Sequence, residues 1–220
     1  MLDLILSRAD FGEIVIFLLS ALFVVFFTSP IHEFSHGLAA YLLGDNTPKY
    51  QGRLTLNPLV HIDPMGAVMI AVFGFGWAKP VQVNLNNFKR PKLGMALTAL
   101  AGPASNIISA FLILIILKVI TVFTDPNFYV VNFFVIAAHI NISLAVFNLI
   151  PIPPLDGSKI LNALLPFKAY YKILKFERYM WIILIFILAS NVLSRPLSWL
   201  TAHVFNGLAW VVDLPYMYIF

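Results

Sequence analysis

The sequence contains no cysteine and few charged residues. The absence of cysteine excludes disulfide bonds and thiolate zinc sites, so any transition metal must be held by His and carboxylate side chains. Only 11% of the 220 residues are charged, whereas about a quarter are charged in soluble domains. The net charge of +4 is modest, and the basic residues cluster beside apolar segments. This pattern favours contact with an anionic membrane surface and excludes nucleic acid as the expected partner.

Apolar residues make up 60% of the chain. A small domain folded in water leaves much of its surface exposed and cannot bury so large an apolar fraction. The sequence therefore predicts an all-α polytopic membrane protein, and we interpret residues 1–220 as a single membrane domain. The first apolar segment is expected to be a retained span, because residues 1–10 lack the small-residue cleavage site of a signal peptide.

About five transmembrane helices are predicted from the lengths of the apolar segments. The first segment is interrupted by Ser29-Pro30, and the last is the least apolar. The predicted spans are Ile14 to Leu43, Leu93 to Leu117, Tyr129 to Ile150, Tyr179 to Leu193, and Leu197 to Val212. After the first span, Met65 to Ala78 is apolar but too short to cross the bilayer, so it is expected to be re-entrant or interfacial.

The first predicted span carries an H-E-x-x-H motif, His32-Glu33-Phe34-Ser35-His36. On a helix, residues i and i+4 are about 40° apart and one turn apart in height, so both rings can reach one metal ion. Glu33 lies on the adjoining side, where it can accept a proton from water at the metal. The alternative is a set of polar residues that hydrogen-bond across the helix bundle. Three ionisable residues in five positions are costly in a membrane, which favours a functional site.

A hydrolytic zinc site normally takes three protein ligands. Asp156 is the leading candidate for the third, because it follows the third long span at the same inferred depth as the motif. His61 and Asp63 are the next candidates. Taken alone, Asp156 could instead be the N-cap of a helix that begins near Gly157.

Basic residues predict the orientation of the chain. Lys79, Lys89, Arg90 and Lys92 precede the second long span, and further lysines follow the third. By the positive-inside rule, both regions face the cytoplasm. The protein is therefore expected to be a multi-pass protein of the cell membrane, with its active site toward the cytoplasmic side.

Five ordered motifs resemble those of the site-2 proteases, a family of intramembrane zinc metallopeptidases, and in particular the compact prokaryotic branch without a PDZ domain. They are H-E-x-x-H-G at 32–37, N-P-L-V-H-I-D-P-x-G at 57–66, G-W-A-K-P-V at 76–81, A-G-P-x-x-N at 101–106, and the stretch from Asn148 to Gly157.

The resemblance implies residue roles. His32, His36 and Asp156 would bind one zinc ion, and Glu33 would be the general base. Asn148 would stabilise the oxyanion of the tetrahedral intermediate, although a membrane Asn often only bonds a neighbouring helix. For Ala101-Gly102-Pro103 we favour close helix packing, with Asn106 reaching the site.

The expected function is intramembrane cleavage of peptide bonds in transmembrane substrate segments, by zinc-activated water. The expected partners are a transmembrane protein or peptide substrate and the lipid bilayer. The alternative is a membrane metal transporter or metal-binding protein. The segment from Asn57 to Asn84 is either an interfacial loop or a strand-like segment that pairs with an unwound substrate. The sequence specifies neither the substrate nor the oligomeric state.

Overall fold

The computed structural model describes residues 10–63, 79–166, 179–180, 182–188 and 190–214. All regular elements of more than one residue within these ranges are helical, as the composition predicts. The predicted re-entrant segment, Met65 to Ala78, lies outside the described residues. The predicted span from Tyr179 to Leu193 is described only in part, with residues 182–188 helical.

The first span is continuous and contains a π-helical segment. Helix α1, Phe11–Phe23, leads into the π segment Val24–Thr28 and then into helix α2, Ser29–Leu42. Pro30 has no N–H to donate to the preceding turn, and an interruption in the bonding pattern of a helix accommodates this loss. The Ser29 N–H accordingly donates to Val24 O, five residues earlier. The expected break at Ser29-Pro30 is therefore a local change of helix type.

Asp45 ties the end of α2 to a later segment of the chain. The helix stops where Gly44 adopts a φ of 109°, a left-handed conformation that favours glycine. The fully buried carboxylate of Asp45 accepts hydrogen bonds from the Thr47 N–H at 3.0 Å, the Thr47 hydroxyl at 2.6 Å, the Asn87 amide at 2.7 Å and the Asn84 N–H at 2.7 Å.

Short helices and a helical hairpin follow. Helices α3, Thr47–Tyr50, and α4, Pro58–His61, precede a 3₁₀ turn at Leu85–Asn87. Helices α5, Pro91–Phe123, and α6, Phe128–Asn148, form the predicted hairpin. The Asn127 side chain caps α6 by accepting from the Val130 N–H at 3.0 Å. Helix α7, Asp156–Leu164, packs on α5, and α8, Ser194–Val211, packs on α6.

Three described helices are long and apolar enough to cross a membrane: Phe11–Leu42, Pro91–Phe123 and Phe128–Asn148. The structure thus confirms the all-helical membrane fold but not the count of five spans. Helix α8 forms where the last span was predicted, yet it is not among the three. The core lies between the π segment, α5, α6 and α8, and its buried members are Val24, Ala110, Ile113, Leu114, Leu117, Val131, Val135, Ala137, Ala138, Ile142, Val146, Phe205, Ala209 and Leu214.

Candidate metal centre

His32, His36 and Asp156 meet in the interior of the protein. The two histidine Nε2 atoms are 3.0 Å apart, and Asp156 Oδ2 lies 3.5 Å from His32 Nε2 and 3.2 Å from His36 Nε2. All three residues are buried, with exposed fractions of 9%, 8% and 6%. Within the described residues, they form the group of His, Asp and Glu side chains whose ligand atoms could hold a metal ion.

The spacing of these atoms fits a tetrahedral zinc ion. Ligands about 2.0–2.2 Å from zinc at tetrahedral angles lie about 3.3–3.6 Å from one another. The three observed separations, 3.0 to 3.5 Å, are close to that range. Two imidazoles and one carboxylate are also a donor set that zinc accepts in hydrolytic sites. The residues therefore fit the metal that the sequence predicts.

The backbone of α5 fixes the orientation of the His36 ring. His36 Nδ1 lies 2.7 Å from Thr98 O, and a carbonyl oxygen can only accept, so Nδ1 carries a proton and Nε2 is the ring nitrogen left to bind a metal. Metal-binding histidines commonly hold their second nitrogen in this way. His32 Nδ1 is buried without a hydrogen-bond partner among the described residues.

Gly102 allows α5 to lie directly against both histidine rings. A Cβ added at Gly102 would be 2.7 Å from His32 Cε1 and closer still to His36 Nε2 and Cε1. Thr98, earlier on α5, contacts the later histidine, His36. Gly102, one turn further along α5, also contacts the earlier histidine, His32. Helices α2 and α5 therefore run antiparallel at the site. The centre lies about 9 Å from the end of α2 at Leu42 and about 16 Å from the start of α5 at Pro91, at 1.5 Å per residue.

Asp156 reaches the histidines because the chain turns sharply before α7. A Cβ added at Gly157 would lie 2.6 Å from Ile150 O and closer still to Leu149 O, so only glycine allows α7 to pack against the end of α6. Asp156 is the first residue of α7, whereas the cap position is Leu155. The N-cap alternative for Asp156 therefore does not describe this structure.

The surroundings of Asp156 keep its carboxyl group ionised. Burial raises its pKa, but hydrogen bonds to His32 and His36, the charge of His36 and the charge of Lys159 hold the pKa well below its usual range. An ionised carboxylate is the form that binds a metal. Lys159 follows one turn later on α7, with its Nζ 3.2 Å from Asp156 Oδ1.

Glu33 contacts a segment far along the chain. The Val81 N–H donates to Glu33 Oε2 at 3.3 Å, and a Cβ at Gly37, one turn further along α2, would lie 3.8 Å from Val81 Cγ1. Residues near Val81 therefore run alongside the helix that carries the H-E-x-x-H motif.

Other predicted residues lie outside the cluster of three. The half-buried Asn148 donates to Leu144 O of its own helix at 3.0 Å, a contact that uses one of its two amide hydrogens. Asn106 is buried one turn beyond Gly102, and its Oδ1 has no partner among the described residues. His61 bonds Thr55 O at 2.8 Å, and Asp63 is likewise not a member of the cluster.

Four contributors to the site were not predicted as such. Thr98 and Val81 act through backbone atoms, which carry no side-chain signal in a sequence. Gly102 was expected to allow close helix packing, and the structure shows that it lets its own helix, α5, lie against the rings of His32 and His36. Lys159 could have been found from its i+3 spacing to Asp156 on the expected helix.

The sequence profile of peptidase family M50 matches residues 17–190, which is more than half of the chain. The chain belongs to peptidase family M50. The matched range contains the whole cluster of His32, His36 and Asp156. The membrane-spanning helices agree with the resemblance to site-2 proteases noted in the sequence.

Individual relatives agree with this membership. The Bacillus subtilis (strain 168) protein named "Putative zinc metalloprotease YwhC" is 42% identical over 165 residues, covering 73% of this chain and 74% of the relative. A Mycolicibacterium smegmatis protein, Rip2, with the same description is 33% identical over 133 residues, or 58% of this chain and 50% of Rip2. The Methanocaldococcus jannaschii protein MJ0611, also so described, is 32% identical over 99 residues, or 44% of this chain and 49% of the relative.

The chain thus spans about three quarters of YwhC but half of Rip2. No solved structure gives a significant match to the chain.

Proposed function

We propose that this protein is an intramembrane zinc metalloprotease that hydrolyses peptide bonds in transmembrane segments of its substrates. The observation that carries the proposal is the convergence of His32 Nε2, His36 Nε2 and Asp156 Oδ2 within 3.5 Å of one another, with both histidines on a helix long enough to span a membrane. Glu33, the acid of the same motif, is the next residue after His32. Family membership and the names of the relatives support the zinc protease class.

His32, His36 and Asp156 would hold the zinc ion. Zinc acts as a Lewis acid that makes water acidic enough to attack a carbonyl at neutral pH. Glu33 accepts the proton that the attacking water loses and then donates it to the leaving amine. The Val81 N–H holds one Glu33 oxygen, so the other oxygen remains for this transfer.

Asn148 is proposed to donate to the substrate carbonyl oxygen as negative charge develops on it. Its contact with Leu144 O leaves a second amide hydrogen for that role.

The segment 79–84 is a candidate for substrate pairing. Val81 and Val83 are half-buried, whereas Lys79, Gln82 and Asn84 are exposed, and alternation along 81–84 is typical of a strand with one covered face. A substrate strand paired with this segment would lie beside Glu33, because Val81 bonds that carboxylate. An unwound substrate is needed because the peptide carbonyls of a helix are already hydrogen-bonded.

We propose that the site opens toward the cytoplasm and that the protein resides in the cell membrane. The site lies near the end of α2 and the start of α5. The exposed Lys89 and Arg90 directly precede α5 at that same end, and positive residues favour the cytoplasmic side.

The test replaces Glu33 with Gln and measures both zinc content and cleavage of a helical membrane reporter. We expect retained zinc and a fall in cleavage of at least about 100-fold, since a general base contributes about 10²–10⁴-fold. Glu13→Gln is the matched control, because Glu13 lies in the first turn of α1 and Gln can also serve in its capping box. His36→Ala should lose zinc and cleavage together.

Wild-type cleavage by the Glu33→Gln variant would reject the proposed role of Glu33. A metal transporter, the alternative function, predicts zinc binding without reporter cleavage in the unmodified protein.

A further inference from the structure

The two carboxylate oxygens of Asp156 face different partners. Oδ2 lies 3.2 Å from His36 Nε2 and 3.5 Å from His32 Nε2. Oδ1 instead accepts a hydrogen bond from the Lys159 ammonium at 3.2 Å. The carboxylate is thus held at both ends, and its rotation is fixed by two independent contacts.

Lys159 reaches this carboxylate from the protein surface. Its side chain is 38% exposed, whereas the side chain of Asp156 is only 8% exposed. A charge-assisted hydrogen bond to a buried carboxylate is stronger than a neutral one, and the buried partner has little water to replace it. Removing the ammonium would therefore free Oδ1 inside the site, not in bulk solvent.

The oxygen that Lys159 engages matters for coordination. A carboxylate can bind a metal through one oxygen or through both. Catalytic zinc sites keep a position open for water or substrate. If both Asp156 oxygens were free to turn toward the ion, the second oxygen would become a fifth ligand and crowd that open position.

We propose that Lys159 is a positioning residue that keeps Asp156 a one-oxygen ligand by holding Oδ1 away from the metal. This inference rests on the proposed function, since it requires that Asp156 binds the ion. Lys159 acts on the coordination number of the site and so on the access of water and substrate to the metal.

A purely structural role for the pair has a different consequence. An i,i+3 ion pair on a helix stabilises the helix slightly whether or not a metal is bound. Loss of that role would lower the melting temperature of the metal-free protein and leave the metal site unchanged. A measurement of the metal environment therefore separates the two roles.

The experiment uses the full-length protein in detergent, stripped of metal and reloaded with Co²⁺ alone. The visible absorption of Co²⁺ weakens when its coordination rises from four to five ligands. Zinc affinity is measured in parallel by competition with a chromophoric chelator. The variants are Lys159→Met, Lys159→Arg, which keeps a cationic donor, and Lys89→Met, which removes an exposed lysine outside the site.

We expect Lys159→Met to weaken the Co²⁺ absorption and to change zinc affinity by about 10-fold or more, the effect typical of losing a partner of a metal ligand. Lys159→Arg and Lys89→Met should match the unmodified protein. Unchanged absorption and affinity in Lys159→Met, even with a lower melting temperature, would overturn the inference. An equal change in Lys89→Met would overturn it too.

The metal-binding measurements also distinguish a failure of the proposed function from a failure of the role assigned to Lys159. If the unmodified protein bound Co²⁺ no better than His36→Ala, the metal site itself would be rejected, and the role of Lys159 would fall with it. Metal binding that is lost in His36→Ala but unaltered in Lys159→Met rejects only the role of Lys159.

Discussion

Replacing Gly102 with Ala should disrupt the metal site through a single methyl group. The added Cβ would lie 2.7 Å from His32 Cε1, whereas ordinary contact begins at 3.4 Å. The ring of His32 or the backbone of α5 must therefore move by at least 0.7 Å, and the closer contacts with His36 require a larger shift. Metal ligands tolerate deviations of only about 0.2 Å.

Two opposing effects set the stability of this variant. Overpacking costs about 1–3 kcal/mol, while Ala in place of Gly within a helix stabilises by about 0.5–1 kcal/mol. The net loss of folding free energy is therefore small, on the order of 1 kcal/mol. Zinc affinity should fall by at least about 10–100-fold, the loss seen when a metal ligand is merely less well supported.

The assay compares Gly102→Ala with Gly207→Ala, in chelator competition for zinc and in thermal unfolding of the metal-free proteins. Gly207 is a matched control because it also lies within a helix, and no atom lies within 4 Å of its added Cβ. Gly207→Ala should bind zinc normally and unfold at the same or a higher temperature. Normal zinc affinity in Gly102→Ala would refute the contact between α5 and the histidine rings.

Two further variants test the packing around the site. Asp45→Ala should destabilise the protein by about 3 kcal/mol at neutral pH in unfolding measurements, because four hydrogen bonds to a buried, charged acceptor are lost. Burial raises the pKa of Asp45, but its hydrogen bonds to Thr47, Asn87 and Asn84 hold the pKa below its usual range. The difference in unfolding free energy between Asp45→Ala and the unmodified protein should therefore be full above about pH 4 and shrink as pH falls further. Gly157→Ala should destabilise by about 1–3 kcal/mol and lose zinc in chelator competition, since its Cβ meets backbone that cannot rotate away.

For each of these two variants, one result would contradict the role assigned to the replaced residue. A pH-independent difference for Asp45→Ala would show that the carboxylate charge is not what the donors stabilise. Normal zinc binding by Gly157→Ala would show that Asp156 reaches the histidines without the tight turn between α6 and α7.

The histidine pair could be predicted because it follows from helical spacing alone. His32 and His36 are four residues apart, and any α-helix brings such rings together. Asp156 is 120 residues beyond His36, so its place in the cluster depends on how α5, α6 and α7 pack. The sequence supported Asp156 only through its inferred depth and through the family resemblance.

Contacts made by backbone atoms could not be predicted from the sequence. Every residue type has the carbonyl that Thr98 uses, and every type except proline has the N–H that Val81 uses, so nothing in their side chains marks them. The last helix illustrates a second limit. Its apolar stretch predicted a span, but polar residues such as His203 and Asn206 lower the hydropathy of Ser194–Val211, which is not among the three candidate spans.

The π segment at Val24–Thr28 also sets the direction in which the histidines point. Each extra residue accommodated in a helix advances all later side chains by about 100° around its axis. The half of the first span that precedes this segment presents Leu18, Leu19 and Leu22 to the surroundings, while the half that follows turns His32 and His36 inward. One extra residue in the π segment thus lets a single continuous helix present apolar side chains outward in its first half and the metal-site histidines inward in its second half.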